Sequence, residues 1–164
     1  MVELRALLEM RQAVPLSFSP DGERLLVASN LPGTHQLYEL PVRGGELRQL
    51  TDLQEPVVGQ YLPDGRVLVE MDEGGNERTQ LYVLRDDGSL EALVVDPRFI
   101  HHTPHTAGHT LAYATNRGNS VDFEIVARNL ATGEERTFDL SGYLSVEAVS
   151  PDGLFVVQDA TMPP

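Results

Sequence analysis

The 164-residue chain contains no cysteine and no lysine; its 12 basic residues are all arginine. Without cysteine there is no disulfide framework, no thiol nucleophile and no thiolate metal site. Long apolar runs are missing too. No stretch approaches the roughly 18 apolar residues of a membrane-spanning helix, and Met1 is followed by Val-Glu-Leu-Arg rather than by a signal-type segment. The expectation is a soluble, cytoplasmic chain with no membrane partner. Positive charge is scarce: 25 acidic residues set a net charge of −13. That argues against a nucleic-acid partner, because neutralising phosphates needs a basic face.

What is present is a repeat. Ser19-Pro20-Asp21-Gly22 is a turn with a mechanism: proline presets φ, aspartate can bond its own backbone, and glycine accepts positive φ. Leu62-Pro63-Asp64-Gly65 and Ser150-Pro151-Asp152-Gly153 repeat it, and Thr106-Ala107-Gly108 holds the same place in degraded form. Gly22, Gly65, Gly108 and Gly153 are 43, 43 and 45 residues apart. A period of about 40–45 residues is the size of one four-stranded propeller blade.

Strand-like segments fall in the same order within each period. The first blade, about 14–52, contains Leu25 to Ser29, Gln36 to Leu40 and Glu46 to Leu50. The second, about 57–96, keeps every part, and Gln80-Leu81-Tyr82-Val83-Leu84 nearly copies Gln36-Leu37-Tyr38-Glu39-Leu40. The third, about 99–140, is looser, with an inner strand near Phe99 to Thr103. A fourth, about 144–164, starts at Leu144 and reaches the last residue half made. Ahead of the array, residues 3–12 pattern as a short amphipathic helix within an N-terminal arm, 1–13, closed by Val14-Pro15. The expected fold class is all-β: a β-propeller-type array of four-stranded antiparallel blades, about three and a half of them, in an incomplete ring with a short N-terminal helix. Closed propellers have about four to eight blades, and open arrays expose edges. The chain is therefore expected to be a fragment of a longer protein or to self-associate through its open blade edges; two copies would supply seven blade-equivalents.

Ser19-Pro20-Asp21-Gly22, Gln36-Leu37-Tyr38 and the run Gly44 to Asp52, taken together, resemble the propeller repeat shared by TolB-like proteins and prolyl oligopeptidase family serine peptidases. The segment Asp72 to Tyr82 is similar to the N-terminal propeller of the acylaminoacyl-peptidase and dipeptidyl-peptidase-like members. So are Thr115-Asn116-Arg117, Asp122-Phe123-Glu124 and Ala131 to Arg136. The resemblance covers essentially the whole chain. It implies the first part of a propeller that, with an α/β-hydrolase domain, caps an active site and admits only small oligopeptides. The implied partners are the remainder of the propeller and that hydrolase domain. The hydrolase nucleophile sits in G-x-S-x-G. The nearest match, Gly118-Asn119-Ser120-Val121-Asp122, lacks the closing glycine. No catalytic, cofactor-binding or metal residue is assigned, and the chain alone is expected to be catalytically silent. The alternative is a TolB-like or WD-like propeller module that serves as a protein-interaction scaffold.

Three local constellations stand out. His101, His105 and His109 are four apart, a metal-ligand spacing on a helix, but Pro104 and Gly108 argue against a helix. On a strand, His101 and His105 share a face and both could point into the channel. The loop Asp72 to Glu77 is rich in oxygen ligands, yet it lacks the alternation and final glutamate of a calcium loop. Phe18, Tyr38, Tyr61, Tyr82, Tyr113 and Phe123 recur near equivalent blade positions, which points to packing between blades.

Overall fold

The computed structural model describes residues 11–138, 140 and 142–160. The helix expected over 3–12 lies outside them, apart from Arg11 and Gln12, which precede the first strand. Among the described residues there is no helix. The first sheet contains β1 (Ala13–Phe18), β2 (Arg24–Ser29), β3 (Gln36–Pro41) and β4 (Arg48–Gln49). The second contains β5 (Val58–Tyr61), β6 (Val67–Met71), β7 (Gln80–Leu84) and β8 (Leu90–Val94). The third contains β9 (His101–Ala107), β10 (Thr110–Thr115), β11 (Glu124–Asn129) and β12 (Glu135–Phe138). β13 (Leu144–Val149) and β14 (Phe155–Asp159) form a two-stranded half-blade. Each sheet is an antiparallel meander in chain order. This is a propeller-type array of three complete blades and a half.

The repeated turn makes the meander. In the first blade Gly22 N–H donates to the Ser19 carbonyl at 2.8 Å, and the Asp21 carboxylate accepts from Glu23 N–H at 3.0 Å. Gly65 and Gly153 close on Leu62 and Ser150 in the same way. Gly22 sits at φ +72°, a region that costs other residues a steric penalty. The degraded third copy is tighter. Ala107 pairs directly with Thr110, leaving a two-residue hairpin loop at Gly108-His109.

Neighbouring blades bury apolar faces against one another. Leu26 and Leu37 of the first blade meet Val57, Tyr61, Val67 and Val69 of the second. Leu68, Leu81 and Val83 of the second meet Leu111, Tyr113 and Val126 of the third. Ala112, Ala114 and Ile125 of the third meet Leu144 and Val146 of the half-blade. Val156 occupies the β14 position that corresponds to Leu26 and Leu68. Both leucines are fully buried, whereas Val156 is 60 % exposed. The face a following blade would cover is thus open.

Candidate functional site

The functional features lie in the seams between blades, and the inner strands build them. One hydrogen bond recurs there. Ser17 Oγ accepts from Tyr61 N–H at 2.8 Å, and Thr103 Oγ accepts from Val146 N–H at 3.0 Å. Between the second and third blades the partner is Pro104, which has no N–H. Gln60, which pairs with Leu68 as Ser17 pairs with Leu26, donates its side-chain amide to the Pro104 carbonyl instead.

Two buried glutamines tie each blade to the linker that follows it. The Gln36 amide donates to the Leu53 and Glu55 carbonyls at 3.1 and 3.0 Å and accepts from Leu53 N–H at 2.9 Å. Gln80 donates to Arg78 and Phe99 and accepts from Asp96 N–H at 2.7 Å. These glutamines open the two near-identical segments of the sequence, and the duplication was the signal for their role. In the third blade the corresponding residue is Glu124, paired across to Thr115 as Gln80 is to Met71.

Glu124 belongs to an ionic network in the seam between the second and third blades. Arg117 pairs with Glu124 at 3.2 Å and with Glu135 at 2.8 Å. Arg128 reaches Glu135 at 2.9 Å, and Tyr113 donates to the same carboxylate at 3.1 Å. Burial pushes Glu135 up, but hydrogen bonds from Arg117 and Arg128 outweigh it and hold the carboxyl below its ordinary value. The network lines a cavity of about 700 Å³ that also includes Phe99 and His101. The seam between the first and second blades has a counterpart. Glu39 accepts from Tyr61 at 2.6 Å and Arg48 at 2.9 Å, at the wall of a cleft of about 600 Å³.

His101 is the anomaly of the site. It is 2 % exposed, meets Tyr113 edge to face at 5.9 Å, and has no hydrogen-bond partner on either ring nitrogen. Its positional equivalents are Val57 and Leu144, 44 and 43 residues away; both are buried and apolar. Burial, with the Arg117 charge second, pushes its pKa down to about 4, so the ring is neutral at pH 7. In the crevice above Val57 and Val58, burial alone raises Glu70 to about 7.

The expected pairing of His101 and His105 on one face is corrected. β9 carries a bulge: His102 pairs with Ala114 and His105 with Ala112, with Thr103 at φ +47° between them. The partners of His101 and His105, Thr115 and Ala112, are an odd number of positions apart on β10, so the two point to opposite faces. Among the described residues no group of three His, Asp or Glu is arranged to hold a metal ion. In the Asp72–Glu77 loop, Asp72 instead accepts from Glu77 N–H at 2.9 Å. Ser120 lies in the loop between β10 and β11, its N–H bound to the Asn116 carbonyl at 2.7 Å. Tyr61, Tyr113 and Phe123 are buried in the seams between blades and Tyr82 packs half-buried in one of them; Tyr38 is buried on the face of the first blade that points away from the second, and Phe18 is exposed at the end of β1. The seams can hold and orient. The cavity lining contains no serine or threonine, and its carboxylates are engaged with arginines.

No protein-family model matches the sequence, and no curated protein matches it. Solved structures do. TolB from Acinetobacter baumannii is 22 % identical over 87 % of this chain and 36 % of its own, with a TM-score of 0.63. A puromycin-hydrolysing peptidase from Mycobacterium tuberculosis is 24 % identical over 90 % of this chain and 25 % of its own, TM-score 0.60. The β-propeller domain of the trilobed protease from Pyrococcus furiosus, described as having an open velcro topology, is 16 % identical over 80 % of this chain and 38 % of its own, TM-score 0.58. At these identities the likeness is one of fold. The chain spans no more than half the length of these structures.

Proposed function

We propose that the chain is a non-catalytic part of the propeller of a cytoplasmic prolyl oligopeptidase family serine peptidase. In that protein it would cap an α/β-hydrolase active site and admit only small peptides. Its partners would be the remaining blades and the hydrolase domain. The observation that carries the reading is the open forward face: Val156 is 60 % exposed at the position where Leu26 and Leu68 of earlier blades pack against a successor. Likeness to peptidase propellers supports it. A ring of blades with a narrow channel excludes folded proteins by size, and that role needs further blades.

The test is to recover the native gene product with an antibody against this chain and treat it with a fluorophosphonate probe for activated serines. Labelling of a polypeptide larger than 18.1 kDa that also hydrolyses short chromogenic peptides is the expected result. A native product of this size that takes no label would overturn the reading. It would favour the second one, a protein-interaction scaffold, which the likeness to TolB supports. In that case light scattering across a concentration range would report whether the open face is covered by a second copy.

A further inference from the structure

β9 directs one histidine into each seam of the third blade. His101 faces the second blade, and its neighbour His102 faces the half-blade. His102 packs on Phe123 with ring centroids 4.5 Å apart and on Tyr143 at 6.3 Å. One ring nitrogen bonds the Leu144 backbone at the start of β13, across the seam. The other, Nε2, is buried with no partner. The corresponding residue in the second blade is Val58, 44 positions earlier. The core of this seam is Ala112, Ala114, Phe123 and Ile125 against Leu144 and Val146, with Phe138 edge to face on Phe155, and among the described residues no third strand lies beside β14.

We propose that the joint between the third blade and the half-blade is acid-operated: protonation of His102 at Nε2 releases β13–β14 while the first two blades stay packed. A proton there places a charge between the Phe123 and Tyr143 rings on a nitrogen that has no hydrogen-bond partner, and separating the seam hydrates it. Burial lowers the pKa of His102 from its ordinary value, the sign this mechanism needs. Of the other titratable groups at this seam, Tyr143 faces His102 from the far side, His105 shares its face of β9, and Asp159, paired with Leu144, lies on the same face of the half-blade.

The other seam does not respond in the same way. His101 faces Tyr113, Arg117, Asp96 and Glu135 there. Glu70, on the same face of the second blade as Leu81, has its pKa raised by burial and is stabilised by acid. Its gain opposes the loss from His101, so the half-blade yields first. The proposal does not depend on the peptidase reading, because it concerns two packed units of this chain.

Hydrogen exchange at pH 7 and pH 5, corrected for intrinsic rates, tests it. Protection of β13 amides relative to β2 amides should fall several-fold, because protonation of a ring that is neutral in the packed seam is linked to opening. His102→Phe, which keeps the aromatic packing, should abolish the difference. A uniform change across all blades, or a His102→Phe chain with the wild-type pH response, would overturn the proposal. If His102→Phe does not fold, the His102 ring resonances of the wild-type chain decide by NMR. A ring still neutral at pH 5.5 supports the joint, and one titrating at its ordinary 6.5 removes it.

Discussion

The inner strands of the second and third blades occupy the same place in the repeat and solve it with different residues. The second writes Val57-Val58-Gly59-Gln60-Tyr61; the third writes His101-His102-Thr103-Pro104-His105. The third relieves crowding with a bulge at Thr103, as β1 and β13 do near Leu16 and Glu147. β5 has a regular register and carries Gly59, where a Cβ would stand 2.3 Å from the Leu68 carbonyl oxygen and 3.2 Å from Leu37 of the first blade. The fold fixes how closely strands and blades approach. A bulge or a glycine meets that demand equally, and which is used decides where the neighbouring side chains point.

The comparison is broken most severely at Gly59. Gly59→Ala forces a methyl group into backbone, and overpacking of this kind should cost about 3 kcal/mol in urea unfolding. The same change at Gly22 meets only its positive φ, with no atom within 4 Å, and should cost about 1 kcal/mol. An equal loss at both would contradict the close approach of β5 and β6.

Next come the buried glutamines. Gln80→Leu removes the partner of Asp96 N–H and of the Phe99 carbonyl, and leaving such groups unpaired should cost about 2–3 kcal/mol. At Glu124, the corresponding position, Glu124→Gln keeps the shape but gives up an ion pair with a partly exposed Arg117. Its loss should be below about 1 kcal/mol. Chemical denaturation of the two variants side by side measures the contrast.

His101→Val, which restores the apolar residue of the second blade, should stabilise the chain by about 1 kcal/mol at pH 7 by removing an unpaired polar ring from the core. Its pH dependence has a definite sign. The folded pKa of His101, about 4, lies below the ordinary 6.5, so its linked stability is present above 6.5 and is lost as pH falls towards 4. The variant should lack that loss. Glu70 runs the other way. Raised to about 7 from 4.5, it contributes stability that is full below 4.5 and lost as pH rises through 7. Glu70→Gln should flatten the alkaline side of the profile by a smaller amount, because the carboxyl keeps some access to water.

Much of this architecture was legible in the sequence, because turn chemistry is local. Pro-Asp-Gly at positions 20–22, 63–65 and 151–153 marks each hairpin, and the spacing of the glycines counts the blades. The third inner strand was less legible. Alternation with a period of two put His101 and His105 on one face, and the bulge at Thr103 undid it. A residue at positive φ that is not glycine leaves no mark in composition. Phe18 patterned with the packing aromatics, yet it falls where β1 ends and its side chain has left the seam. The glutamine ties and the Gln60–Pro104 exchange are contacts between segments about 16 to 44 residues apart. The duplicated Gln-Leu-Tyr hinted at the first, and nothing local announced the second. The isolated His101 could be recognised as misplaced only after Val57 and Leu144 had been set beside it.

The account rests on blades that are stabilised by the neighbours on either side of them. Hydrogen exchange at pH 7, read strand by strand, tests this most directly. Amides of β6 and β10, whose blades have a neighbour on each side, should be the most protected, and those of β14, with an open face and a free edge, the least. Protection in β14 equal to that in β6 would contradict the claim that this chain is an array with an uncovered forward face.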